Sequence, residues 1–350
     1  MKTRSFAAAV VAVLLLNFVG LAAPDNRRPA GTKHQASRLV ALLPASDGVA
    51  VFEAKRFLND ALPKLLAANQ PLLGEIMAKI TEMETRTGVD LRKFDQVAVG
   101  VASKQISAKE TDYDPVAIAS GDISAGALIA IAKLASNGTY REETISGHTV
   151  YIFVPKDVAK KTAAKKVSSQ VADTIDRALD SMTNEFAVTA INGNTLALGS
   201  LARVRETLAG QSHISGELAG LLSQKETTQM TFAMRTPDGM SKTVSLDHDE
   251  LGANIDSIQL LSGYVDVAGA GTTLHVAART KTAEQAQNLK DTVDGFQIVG
   301  KAFLGASKKP DQQVYARLVK NVKTDIHGSD VTLDLFIPQA DIDALVAKIK

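Results

Sequence analysis

The sequence predicts an α+β protein: antiparallel sheets with helices packed on one face, arranged in two related halves. Three observations carry that expectation. Short segments with alternating apolar side chains recur along the chain, as half-buried strands require. Pairs of these segments flank tight turns, Ser146-Gly147-His148 and Asn192-Gly193-Asn194, and Asn-Gly is the strongest short hairpin signal. Longer segments with apolar residues at helical spacing lie between them.

In chain order, residues 48–53 (Gly-Val-Ala-Val-Phe-Glu) predict the first strand. Phe57, Leu58, Leu62, Leu65 and Leu66 then repeat with helical spacing, as do Leu72, Leu73, Ile76, Ile80 and Met83. Asn69-Gln70-Pro71 separates these two helices, and Gly88 is placed to cap the second. Val97, Val99 and Val101 alternate with small residues and predict a strand, followed by another at 115–120. Asp122 or Ser124 can cap a helix over 125–134. The hairpins pair 140–145 with 149–153 and 186–191 with 195–198. Val167, Val171, Ile175, Leu179 and Met182 line a helical face between them, and 201–208 forms a further helix.

The second half repeats this order more briefly. Residues 229–234 predict a strand, 255–267 and 272–280 pair across Ala268-Gly269-Ala270-Gly271, and a long helix follows. Thr282 and Gln285 stand in capping-box spacing at its start, with Ala286, Leu289, Val293, Phe296, Val299 and Phe303 as its expected core face. Residues 314–319 and 331–337 read as strands and 341–349 as a closing helix. The parallel order of elements predicts an internal duplication of halves 39–210 and 228–350, joined by residues 211–227.

The N-terminus reads as a Sec-type export signal. Lys2 and Arg4 precede an apolar stretch, Phe6 to Val19, and Gly20 and Ala22 place small residues at −3 and −1 of a cut after Ala22. The alternative is an uncleaved inner-membrane anchor over residues 5–23, which reaches only the short end of a bilayer span. Residues 23–38 are polar and without periodicity, a flexible tether.

Composition narrows the function classes. The chain has no cysteine, which excludes disulfides, thiolate zinc sites, thiol nucleophiles and lipidation at a lipobox. A secreted eukaryotic protein of this size usually carries disulfides, so the expected setting is a bacterial envelope, periplasmic or secreted. Removing residues 1–22 takes two of the 39 Lys and Arg and no acid, which leaves 37 basic against 38 acidic side chains. That balance lacks the positive field nucleic-acid binding needs, so no nucleic-acid partner is expected. Trp is absent and aromatics make up 5%, which disfavours recognition by stacking.

Three fragments resemble a family of secreted or membrane-tethered bacterial proteins with no assigned activity. They are Leu43-Pro44-Ala45-Ser46 before the first strand, Gly121-Asp122-Ile123 before a helix, and Leu196-Ala197-Leu198-Gly199-Ser200 before the 201–208 helix. The resemblance implies this architecture and an exported location, and it carries no site residues.

No catalytic, cofactor-binding or metal-binding residue is assigned from the sequence, and no cofactor. Asp247-His248-Asp249-Glu250 is the densest polar cluster, but contiguous residues cannot all converge on one cation, and it reads as a solvated turn. His34, His148, His213, His248, His275 and His327 are scattered, without the i, i+4 pair of a zinc hydrolase. Gly269 and Gly271 lack the third glycine and following helix of a dinucleotide loop. Ser168, Ser169 and Ser200 have no identifiable base. Lys156, Lys160, Lys161, Lys165 and Lys166 read as a solvated helix start that could also meet anionic lipid, and Asn137-Gly138-Thr139 is a sequon only in a eukaryotic host.

The expected function is that of a non-enzymatic binding or scaffolding protein of the envelope, its partner an envelope protein or a hydrophobic ligand. Membrane contact is expected where the N-terminus stays uncleaved. The alternatives are a lipid carrier with a cavity lined by Leu289, Val293 and Phe296, and a hydrolase assembled from distant residues.

Overall fold

A computed structural model describes residues 38–107, 110–136, 138–153, 185–223, 225–243, 249–305, 310–347 and 349. The export signal, nearly all of the tether, the expected helix around Val171 and the lysine cluster at 156–166 lie outside these residues. The described chain is a mixed α+β protein built on one antiparallel sheet of twelve strands, in the order β11-β12-β10-β9-β8-β1-β2-β3-β7-β6-β5-β4.

The strands of the first half are β1 (Gly48–Phe52), β2 (Phe94–Ser107), β3 (Glu110–Gly121), β4 (Tyr140–Ile145), β5 (His148–Phe153), β6 (Phe186–Asn192) and β7 (Thr195–Ser200). Those of the second are β8 (Met230–Arg235), β9 (Ile258–Ala268), β10 (Gly271–Thr280), β11 (Lys323–His327) and β12 (Asp330–Pro338). In each half three strands pair consecutively, a helix intervenes, and the last strand returns beside the third, β7 on β3 and β12 on β10. The halves join where β1 pairs antiparallel with β8, Ala50 opposite Phe232.

The helices are α1 (Ala54–Arg56, a π segment Phe57–Ala61, then Leu62–Leu65), α2 (Gln70–Thr87), α3 (Ala125–Ala135), α4 (Leu201–Ala209) and α5 (Gly216–Leu221). After β8 come α6 (Met240–Thr243), α7 (Asp249–Asp256), α8 (Ala283–Gly305), α9 (Pro310–Asn321) and α10 (Gln339–Val346). Their starts follow local chemistry. Asn69 caps α2, Ser124 caps α3 and Ser200 caps α4, each side-chain oxygen accepting from a backbone N–H of the first turn. Gly88 closes α2 in the left-handed region at φ 71°.

Side chains alternate between faces along each strand, so register assigns every core residue to one side. On one face Val49, Val51, Ala98, Val116, Ile118, Val150, Ile152 and Ala197 pack under Val204 of α4 and Leu218 of α5. On the other, Ala119 and Leu196 pack under Ala125 of α3. That second face continues into the second half, where Val265, Leu274, Leu335 and Ile337 meet Ala61 of α1, Val314 and Leu318 of α9 and Ile342 of α10. Ala286 and Leu289 of α8 pack there against Ala278 and Val331. One face thus carries α1, α3, α8, α9 and α10, as the sequence leads one to expect, while α4 covers the opposite face of the first half and α5 covers that face at β1 and β8, where the halves meet.

The structure corrects three local expectations. Residues 314–319 are helical within α9, not a strand: Val314 and Leu318, one turn apart, are both buried, and the preceding Pro310 suits a helix start. The edge strand β11, rich in polar residues, takes the place expected of that segment. Ile255 belongs to α7, so β9 begins at Ile258, and Asp249 and Glu250 open that helix rather than a turn.

Candidate functional site

The most unusual surface lies on α8. Gln285 N donates to Thr282 Oγ1 at 3.2 Å, the first half of the expected capping box. The reciprocal bond is displaced by one residue, since Gln285 Oε1 accepts from Lys281 N at 3.1 Å. Ala286 and Leu289 then face the sheet and are buried, as expected. Beyond Val293 the expected core face fails. Phe296, Val299 and Phe303 are 54%, 58% and 84% exposed, and Ile298 is 68% exposed.

The reason is that the inward row passes instead through Val293, Gln297, Gly300 and Leu304, all of them partly buried. Gln297 Nε2 donates to Val322 O at 3.0 Å, satisfying a carbonyl just past the end of α9. At Gly300 an added Cβ would stand 3.1 Å from Val319 Cγ1, so the absence of a side chain lets the two helices approach. Polar and small residues make the contact, and the large apolar ones are left outside. Periodicity could not reveal this, because both rows fit a 3.6-residue repeat.

Phe296, Val299 and Phe303 follow one another at i, i+3 and i+7, forming a stripe. Between Gly295 and Gly305 the only charged residue is Lys301, which is exposed. Acids gather nearer the start of the helix, where Lys290 pairs with Asp294 and that hydrogen bond holds the Lys290 ammonium above the usual lysine range. Tyr315 on α9, one turn nearer the hairpin tip than Val319, adds a ring that is 41% exposed.

A second cluster occupies the uncovered sheet face of the second half. His275 Nδ1 lies 2.7 Å from Asp334 Oδ1, and its ring stacks on Tyr264 at 5.0 Å between centroids. Lys225 Nζ donates to Tyr264 Oη at 2.6 Å. Arg279 of β10, the neighbour of β9, makes two bonds to Asp330 of β12 at 2.7 and 2.9 Å. Cross-strand register aligns these rows, with Tyr264 opposite His275 and His275 opposite Asp334. Among the described residues no hydroxyl bonds the His275 ring, and no group of three or more His, Asp or Glu could hold a metal ion. The row ties neighbouring strands together on a solvated face.

The remaining histidines and serines are dispersed. His148 Nδ1 meets Ala190 O at 3.0 Å, His213 is exposed, and His327 sits on the edge strand β11. His34 and His248 lie outside the described residues, with Asp247, Ser168, Ser169 and Asn137. Gly269 and Gly271 form the β9–β10 turn, where a Cβ on Gly271 would overlap the Ile337 carbonyl. Ser200 Oγ donates to Asp114 Oδ2 at 3.0 Å while accepting from Arg203 N, so it serves as a cap. Burial pushes the Asp114 carboxyl above the usual aspartate range, against the opposing bond from Ser200.

Two open surface concavities, of about 490 and 390 Å³, adjoin Tyr140 and Gly138. Among the described residues no helix is long and apolar enough to cross a membrane.

No known protein family matches the sequence, and no curated protein does. Two solved structures are distantly similar. Crystal form I of TP0453 is 10% identical with a TM-score of 0.40, over 91% of this chain and 98% of that one. Crystal form III of TP0453 is 9% identical with a TM-score of 0.41, over 92% and 100%. Likeness this distant assigns nothing to the chain.

Proposed function

We propose that this is an exported, non-enzymatic binding protein of a bacterial envelope, whose contact surface is the apolar stripe of α8. The observation that carries the reading is the exposure of Phe296, Ile298, Val299 and Phe303 on one helix. Large exposed apolar patches mark interaction surfaces, whereas single exposed apolar residues need no explanation. The export pattern of residues 1–22 supports the location.

The carrier alternative needed a cavity lined by Leu289, Val293 and Phe296. Leu289 instead packs against Ala278 and Val331, and Phe296 faces outward. The hydrolase alternative gains no support from the His275–Asp334 pair, to which no hydroxyl bonds among the described residues.

The test is native mass spectrometry of the chain purified from its own envelope, with N-terminal sequencing of the same sample. The sequence should begin at Ala23, and the protein should retain a partner or lipid that the double variant Phe296→Ser/Phe303→Ser loses. Retention unchanged by those substitutions, or a native protein that carries nothing, overturns the contact surface.

A further inference from the structure

We infer that the α8 stripe docks on a second copy of this chain, α8 antiparallel to α8 about a two-fold axis at Val299. This rests on the reading of that stripe as a contact surface and names what it contacts.

The first argument is the extent of the free face. Thr292, Phe296, Val299 and Phe303 lie in one row of α8, at i, i+4, i+7 and i+11. The start of that row is a packing face already. Asn254 of α7 donates to Thr292 Oγ1 at 2.8 Å and to Asn288 O at 3.4 Å. Past this contact Phe296, Val299 and Phe303 are exposed. The face left open runs from Val293 to Gly305, where α8 ends, and its midpoint is Val299. An antiparallel copy centred there brings its own Gly305 opposite Val293. It therefore fills the open turns and stops short of α7.

The second argument is shape. Gly295 sits inside a long helix, where glycine is unfavourable, yet a Cβ at that position would meet nothing within 4 Å. Gly300 is explained by Val319; nothing in the fold calls for Gly295. A second helix lying close against it does. About a two-fold at Val299, Gly295 comes beside Ala302 of the second copy, and Phe296 comes beside its Phe303. Small residues meet on one side of the axis and let the backbones approach, while aromatic rings meet on the other. The pattern is its own complement, as an isologous contact requires.

The third argument is charge and area. Near a two-fold axis every charge meets its own sign, and Gly295, Phe296, Val299, Ala302 and Phe303 carry none. Lys301, the one charge on these turns, donates to Gln297 Oε1 at 3.2 Å, on the flank toward α9. The exposed parts of Phe296, Ile298, Val299 and Phe303 come to roughly 500 Å² of apolar surface. A stable dimer buries about 800 Å² on each partner, about two-thirds of it apolar between identical chains. The face supplies that apolar share.

The experiment is sedimentation velocity of the chain purified from its own envelope, over a range of concentrations and at low and high salt. A dimer that dissociates on dilution is expected. High salt should not raise its dissociation constant, since no ion pair holds it. Phe303→Ser removes a ring from each side and should raise that constant by at least about a hundredfold. Val299→Lys and Val299→Glu each place like charges on the axis, so either alone should be monomeric while a mixture of the two pairs. Below the dissociation constant, circular dichroism and melting of each variant should match the native monomer, in which these side chains are exposed.

A native chain that stays monomeric, a dimer dispersed by salt or unaffected by Phe303→Ser, or a Val299→Lys and Val299→Glu mixture that fails to pair overturns the second copy as occupant. The envelope experiment separates the two readings. If the chain is monomeric but retains a lipid or a foreign protein that Phe296→Ser/Phe303→Ser loses, the contact surface stands and the second copy is wrong. If it is monomeric and retains nothing, both fail.

Discussion

Gly300 of α8 lies against Val319 of α9 so closely that a Cβ on the glycine would come within 3.1 Å of Val319 Cγ1. This contact sets which way the last turns of α8 face. A Gly300→Leu substitution should push the helices apart and cost roughly 1–3 kcal/mol by overpacking. Urea denaturation would measure it, and a neutral result would show that the hairpin accommodates bulk at that point.

The same facing predicts a contrast along one helix. Leu289→Ala should cost about 2–5 kcal/mol, since its side chain is 6% exposed in the core. Phe303→Ser should stay within about 0.5 kcal/mol. Thermal melts of the two variants check the point, and a large loss at Phe303 would mean that the stripe is covered.

Arg203 is 4% exposed, and its Nη2 donates to Ala45 O at 3.0 Å and Ser46 Oγ at 2.6 Å. These bonds clamp the segment before β1 onto α4. Arg203→Ala should cost roughly 2 kcal/mol, and Arg203→Lys should not restore the loss, because an ammonium cannot reproduce the guanidinium fork. Hydrogen exchange at residues 45–47 should quicken in both variants while the β3–β7 pairing stays protected.

Burial raises the Asp114 carboxyl above its ordinary value of 3.8. A raised carboxylate pKa means the folded state binds the proton more readily than the unfolded chain. The contribution to stability therefore falls as pH rises from 3.8 through the folded-state value, and above it ionised Asp114 opposes folding. Asp114→Asn, which keeps an acceptor for Ser200, should melt higher than the native chain near neutral pH. The difference should shrink toward pH 3.8. An Asn variant that is less stable at pH 7 would indicate that attraction from Arg203 outweighs the burial.

Much of the fold was legible because its signals are local. The hairpin at Asn192-Gly193, the cap at Ser124 and the stop at Gly88 each depend on a few neighbouring residues. In the α9 segment Val314, Tyr315 and Val319 favour a strand locally, whereas docking of Val314 and Leu318 against the sheet decides for helix. An Arg317 to Asp341 bond with Nε at 3.1 Å further ties α9 to α10. Strand β11 escaped notice because Lys323-Thr324-Asp325-Ile326-His327 has only a weak apolar alternation, as befits an edge. In α8 the sequence pattern marks Phe296, Val299 and Phe303 as one apolar row but leaves open which side that row faces. Which of two apolar-compatible rows turns inward depends on Val319 and Val322, distant in the chain and silent in any local pattern. In both halves the last strand returns beside the third, β7 on β3 and β12 on β10, and superposition of experimental structures of the halves would test the duplication expected from element order.

The pairing of β1 with β8 has a consequence for how the chain is made. The finished sheet ends in strands that carry charge, β4 with Arg141, Glu142 and Glu143, and β11 with Lys323 and Asp325. The strand at its middle, Gly48–Phe52, has no charged residue at all. Synthesis delivers that strand first and its partner Met230–Arg235 only after the whole first half has emerged. Throughout that interval one side of β1 is a bare row of backbone donors and acceptors, flanked by valines, which is a template for association between chains. A polypeptide stopped before residue 230 is accordingly expected to aggregate rather than persist as a half-molecule.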